Sequence, residues 1–242
     1  ALLATAPGAG DAVITATGAG LVNLTLNHNH IQVAAGSTGS ALGLHNGAVN
    51  ATITGNVFMA AETPQSTVFL AGTHPFHGLR FTNNHVLREG ASGNTGFKVD
   101  GNRNVGASSL RVPSITGNLF QGHAVALDGG ARSFSAAEIQ GNTFQGNTVG
   151  LAAGLMDSTL LGNTWTSNSE CGLKLFSCGS RIEDNHFESN GTDLVLEDES
   201  PATRQSQTIR RNRFLSATAI SNNDPDIVLP AGRNYWGASD GP

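Results

Sequence analysis

An asparagine recurs nine times along this chain, each time three residues after an apolar residue and two before another, which is usually aromatic. The clearest copies are Ile53-Thr-Gly-Asn56-Val-Phe58, Ile115-Thr-Gly-Asn118-Leu-Phe120, Ile139-Gln-Gly-Asn142-Thr-Phe144, Leu160-Leu-Gly-Asn163-Thr-Trp165, Ile182-Glu-Asp-Asn185-His-Phe187 and Ile209-Arg-Arg-Asn212-Arg-Phe214. Looser copies centre on Asn29, Asn84 and Asn234. Successive asparagines are 27, 28, 34, 24, 21, 22, 27 and 22 residues apart. A period in this range marks a repeat architecture, in which each unit buries its apolar face only by stacking on its neighbours.

A second apolar beat follows most copies: Val68/Leu70, Phe97/Val99, Val125/Leu127, Val149/Leu151, Leu173/Leu175, Leu194/Leu196 and Ile227/Leu229. Alternation of this kind belongs to strands with one buried face. Each repeat thus holds three short strands: one with the Val-x-Leu pair, one ending near the Ile before the asparagine, and one starting at the Phe after it. The asparagine marks the bend between the last two, where its tolerance of the left-handed backbone region is useful. Identical residues in successive coils stack about 4.8 Å apart, so the side-chain amides are expected to form a hydrogen-bonded ladder. The expected fold is all-β: a single-stranded parallel β-helix of nine to ten coils, with Phe58, Phe120, Phe144, Trp165, Phe187 and Phe214 in its core.

Composition agrees with one solenoid over 1–242. Residues 1–20 are expected to form a first coil or a cap over the open strand edges, and 225–242 a terminal coil. No segment reaches the roughly 20 apolar residues that span a bilayer. A net charge of −5 and only two lysines, Lys98 and Lys174, argue against nucleic acid as partner. Aligning coils on the asparagine places Arg210 over Glu183 and Arg211 over Asp184, which predicts an ion-pair ladder between coils.

The Ile-x-Gly-Asn-x-Phe units and the closing Asn234-Tyr-Trp-Gly-Ala-Ser-Asp-Gly-Pro242 resemble the right-handed parallel β-helix repeats of the pectin-lyase-like superfamily. The nearest variety is the lean repeats of NosD-type periplasmic proteins and many surface proteins. The resemblance implies export, to the cell surface, the medium or the periplasm. It also implies a binding groove along the outer face of the Val-x-Leu strands. It does not imply one activity, because such repeats serve lyases, hydrolases, epimerases, tailspikes and adhesins.

On that face the pattern places Lys98 beside Asp100 and Asp128, with the two carboxylates one coil apart. Two carboxylates suit Ca²⁺ or the acid and base of glycoside cleavage, and a lysine suits proton abstraction next to a uronate carboxylate. The same residues also read as ordinary turns, Asp100-Gly101 and Asp128-Gly129-Gly130. Phe69, Lys174 and Phe176 are the carbohydrate-binding candidates, since exposed rings stack on sugar faces. Histidines offer one weak metal cluster, His74, His77 and His85. Cys171 and Cys178 flank one strand, roughly 20 Å apart by strand rise, so they are not expected to pair.

The acidic pairs and Gly-His-Gly of polygalacturonase-like enzymes are absent. The first reading is therefore a noncatalytic extracellular or cell-surface scaffold for carbohydrate recognition, adhesion or assembly, with no firm cofactor beyond candidate Ca²⁺. The alternatives are a lyase, hydrolase or epimerase acting on a uronate-containing polymer, and a periplasmic metal-handling protein of NosD type. The coils with the longer loops, at 59–66, 74–78 and 88–96, are where a site is expected.

Overall fold

A computed structural model describes residues 2–4, 12–17, 21–33, 37–45, 48–60, 66–72, 76–88, 93–101, 110–197, 207–223 and 229–237. It is an all-β parallel solenoid with three sheets. One sheet of eight strands carries the column Leu26, Ile53, Phe81, Ile115, Ile139, Leu160, Ile182 and Ile209, and is called the Ile sheet below. A nine-stranded sheet carries Ile31, Phe58, Val86, Phe120, Phe144, Trp165, Phe187 and Phe214, the Phe sheet. The third, the long sheet, carries the Val-x-Leu strands. Among the described residues eight coils contribute to all three sheets, fewer than the nine to ten expected from the repeat. The remaining strands at the start are partial: Leu2–Ala4 pairs in the Phe sheet and Ala12–Thr17 in the long sheet. At the other end Tyr235 makes a single bridge to Arg213.

Each coil turns three corners, and most of the described corners use one residue in the left-handed region. Before the ladder asparagine these are His28, Gly55, Asn83, Gly117, Gly141, Gly162, Asp184, Arg211 and Arg233. The strained position is thus the residue preceding the asparagine, which corrects the expectation that the asparagine itself supplies the left-handed conformation. The asparagine turns inward. From Asn56 to Asn212 its side chain is buried. The backbone N–H and Nδ2 of Asn142 both donate to Asn163 Oδ1, at 3.0 Å each, while Nδ2 also donates to the Ile115 carbonyl at 2.8 Å. The same bonds recur from Asn29 to Asn234, so the ladder is continuous.

Inside the ladder the aromatic rings stack. Successive centroids from Phe120 through Phe144, Trp165, Phe187 and Phe214 to Trp236 lie 5.1, 5.4, 4.6, 4.9 and 5.0 Å apart. In the coil of Asn84 the Phe sheet offers only Val86, and Phe81 of the Ile sheet fills the gap, stacking on Phe58 and Phe120. Gly150 is needed because of this column. A Cβ there would sit 2.6 Å from the Trp165 ring and against the Gly172 carbonyl. Gly150 and Ala126, each between the two apolar residues of its Val-x-Leu pair, are both buried.

A second amide ladder runs along the corner after the Phe sheet. Asn147, Asn168 and Asn190 are linked through their amides, and Ser216 and Asp193 close the end. Burial raises the Asp193 carboxyl against the hydrogen bonds from Ser216 and Asn190 that stabilise its charge.

Candidate functional site

The long sheet is the surface that the sequence singles out, and its register decides which side chains meet. Across consecutive coils Gly43 stands opposite Phe69, Phe69 opposite Lys98, Lys98 opposite Asp128, Asp128 opposite Ala152, and Ala152 opposite Lys174. Asp128 is therefore the neighbour of Lys98. Asp100 lies two residues further along, in the column of His45 and Ala71. The expected side-by-side placement of Asp100 and Asp128 is corrected by this two-residue shift. It arises because Phe97, not Val99, pairs with Leu127. A period-two pattern tolerates such a slip without moving any residue to the other face.

Phe69 is half-buried, and the edge of the His45 ring packs on it with centroids 5.9 Å apart. Asp128 Oδ1 accepts the Gly130 N–H at 3.0 Å, the bond of an Asx turn, and the strand bulges after it. Among the described residues no ion pair joins Lys98 to Asp128. What the register offers is an aromatic face, a cation and a carboxylate on three successive coils, about 4.8 Å per step.

The other candidates are placed differently. Lys174 is tied to Glu197 at 2.8 Å and lies 3.7 Å from Glu170. The hydrogen bond to Glu197 raises its ammonium, which keeps it charged. Phe176 packs with Val125, Val149, Ala152, Cys171 and Val195 in a small apolar cluster apart from the main core. Cys171 is free and buried, and burial pushes its thiol up to about 12, so it is neither a nucleophile nor a ready metal ligand. Cys171 and Cys178 begin and end one eight-residue strand, as expected.

Among the histidines, His74 lies outside the described residues. His77 belongs to the long sheet and His85 to the Phe sheet, with the strand Arg80–Thr82 between them. His30 and His85 share a column but are separated by Val57. The predicted ion-pair ladder is present. Buried Glu183 meets Arg210 at 2.7 Å, Arg211 at 2.9 Å and Arg181 at 3.1 Å, and Arg211 also grips Asp184 at 2.8 Å. Burial works to raise the Glu183 carboxyl, but the arginine hydrogen bonds and charges outweigh it and leave the carboxyl low. These carboxylates engage arginines of their own and the following coil, which argues for a structural clamp between coils.

Two functional features of the corners escaped the sequence pattern. One is the second amide ladder, although Phe144-Gln-Gly-Asn147, Trp165-Thr-Ser-Asn168 and Phe187-Glu-Ser-Asn190 repeat it plainly. The other is His123, which stands in Phe120-Gln-Gly-His123, the same position one coil earlier.

A lean three-sheet solenoid with two internal amide ladders defines the class: a parallel β-helix repeat protein. The chain belongs to the NosD family, whose family model, described as periplasmic copper-binding protein (NosD), matches residues 10–241. No curated protein and no solved structure matches it. Copper as cargo calls for soft or imidazole ligands that converge. Among the described residues no three His, Cys, Asp or Glu side chains are grouped to hold a metal ion. Met59 lies in the Phe sheet and Met156 in the long sheet. The described residues do not fit a preformed copper site.

Proposed function

We propose that the chain is an exported β-helix scaffold, periplasmic or at the cell surface, that binds a uronate-containing polysaccharide on the outer face of its long sheet without turning it over. The observation that carries this reading is the register of Phe69, Lys98 and Asp128 on consecutive coils. The Phe69 ring, braced by His45, offers a face for a sugar ring. Lys98 offers a cation for a uronate carboxylate, and Asp128 an acceptor for hydroxyls. Candidate Ca²⁺ would enter at Asp128 or Asp100 by bridging to polymer carboxylates, since neither residue has a partnered carboxylate across the adjacent coil.

The test is a panel of uronic-acid polymers and neutral glycans, scored for both binding and product formation. Binding without product is expected, with Phe69→Ala and Lys98→Ala each weakening affinity about tenfold, equivalent to about 1.4 kcal/mol. Release of unsaturated or reducing ends would replace the scaffold with an enzyme working at Lys98, Asp100 and Asp128. Binding to no polymer would leave the second reading, periplasmic copper handling, which rests on the family description. Equilibrium dialysis against copper addresses that reading directly.

A further inference from the structure

The corner after the Phe sheet changes character at His123. In the following coils the corner residue is an asparagine whose Nδ2 donates to the carbonyl of the aromatic residue one coil earlier: Asn147 to Phe120, Asn168 to Phe144 and Asn190 to Trp165. His123 copies this arrangement. Its backbone N–H donates to Asn147 Oδ1 at 2.9 Å, and its Nε2 lies 3.1 Å from the Val86 carbonyl. The ring is fully buried. Its other nitrogen, Nδ1, lies 3.0 Å from Asn94 Oδ1, and that oxygen also accepts Arg88 Nη1 at 3.0 Å.

Both ring nitrogens therefore face acceptors, and a neutral imidazole has one N–H to give. Asn94 Nδ2, meanwhile, is buried without a hydrogen-bond partner. A half-turn of the Asn94 amide would present Nδ2 to the bare Nδ1, but would turn an N–H₂ group toward Arg88. Protonation of the ring satisfies both acceptors and lets the Asn94 oxygen keep Arg88. The two arrangements exclude one another.

We propose that His123, Asn94 and Arg88 form a proton-operated clasp. With the ring neutral, Nε2–H holds the Val86 carbonyl, Asn94 donates to Nδ1, and Arg88 loses this bond. With the ring protonated, Nε2–H keeps the Val86 carbonyl, and the Asn94 oxygen accepts both Nδ1–H and an Arg88 Nη1–H, fastening Arg88 to a residue six positions on. The groups packed on the ring agree with a site that resists, but does not forbid, the second proton. Burial and the charge of Arg88 oppose it, the Val86 carbonyl favours it, and the balance lowers the imidazole to about 4. The strand Thr95–Gly101 meets the ring at Gly96, and the next coil meets the His123 backbone N–H at Asn147, neither of which carries charge. Arg88 and Asn94 bracket the segment that leads into the strand bearing Lys98, so the clasp sets the geometry at the entry of that strand.

The test is a pH titration from 7.5 to 3.5 followed by ¹⁵N NMR of the His123 ring, the Asn94 side-chain amide and the Arg88 guanidinium. The expected result is one shared midpoint: the ring passes from the Nε2–H tautomer to the doubly protonated form as the Asn94 and Arg88 signals move. In His123→Asn the Asn94 and Arg88 signals should be flat across this range. That variant supplies the residue the next three coils use at this corner, so it is expected to fold. Two outcomes would overturn the clasp: an Asn94 signal that ignores the His123 titration, or one that still titrates in His123→Asn. A ring that stays neutral to pH 3.5 in the folded protein would also overturn it. None of these readouts involves polysaccharide, so the clasp and the proposed binding face stand or fall separately.

Discussion

The coils before Asn118 and those from Asn118 to Asn190 share one interior but solve their corners differently. In the later coils the ladder asparagines follow at 24, 21 and 22 residues, the rings of Phe120, Phe144, Trp165 and Phe187 lie within 8° of parallel, and a second amide ladder seals the next corner. In the earlier coils the intervals are 27, 28 and 34 residues, the stack is borrowed in part from Phe81, and the corner at Arg88 and Asn94 is closed by His123 reaching back from the Asn118 coil. The first ladder does not notice the difference. Among the described residues the amide-to-amide links of the second ladder begin at Asn147. Phe69 and Lys98 are displayed on the irregular half, with Asp128 at its border, where the corners leave room for loops.

The strongest way to break the comparison is to cut the ladder where it is most regular. Asn142→Ala would strand the backbone N–H of Asn118 and the carbonyl of Ile115, and would leave Asn118 Nδ2 only its bond to the Phe81 carbonyl, all of them buried. With each unsatisfied buried group costing about 1–3 kcal/mol, a loss of about 3–5 kcal/mol is expected in urea unfolding. Asn29→Ala, at the half-exposed start of the ladder, should cost about 1 kcal/mol. Equal losses would mean that the ladder contributes locally and not as a continuous column.

Acid should weaken the irregular half in particular. The His123 imidazole is ordinary at 6.5 in the unfolded chain and lowered to about 4 when folded. Above pH 6.5 neither state is protonated, and the group has no effect. As pH falls from 6.5 toward 4 the unfolded chain takes up the proton first, so stability drops, by about 3 kcal/mol in full, and no further below 4. Glu183, Asp184 and Glu197, whose carboxyls are held low by arginine or lysine partners, also lose stability as pH falls through their range. The measurement is therefore the difference between wild type and His123→Asn in unfolding free energy at pH 7 and pH 4.5. No pH dependence in that difference would show that the ring is protonated as easily folded as unfolded.

How far the sequence carries depends on how often a constraint repeats. The inner columns and the first ladder were legible because every coil writes them at the same spacing, from Asn29 to Asn234. The arginine clamp on Glu183 followed from the same alignment. The register of the long sheet did not, since Val-x-Leu pairs can slide by two residues and keep every apolar side chain inside. That slip moved Asp128 from Asp100 to Lys98, and so changed a carboxylate pair into a mixed row. The second ladder was written in the chain but spans only Asn147, Asn168 and Asn190, too few copies to stand out beside nine. His123 hid because it is a rung of that corner built from a different residue type. Only the packing of Val86, Asn94 and Arg88 around it shows what it does.

The mildest test concerns the third corner, between the long sheet and the Ile sheet. Its left-handed residue is Asn23, Asn50 or Gly78 in the first coils, residue types that accept the conformation, then Val112, Ala136 and Asp157. Val112 has φ of 50° and is 64% exposed, so a β-branched side chain is held in a region it disfavours, with no burial to offset the strain. It marks the end of the irregular half, directly before Pro113 and the Ile-sheet strand Ser114–Thr116. Val112→Gly should relieve this strain and raise stability by about 1 kcal/mol, less than the full strain because glycine loses more backbone freedom on folding. Ala136→Gly, at the same corner one coil later, should gain less, since alanine is not β-branched. If Val112→Gly instead lowers the urea midpoint, the corner is held by its side chain rather than strained by it, and the irregular half is tighter at its border than its loops suggest.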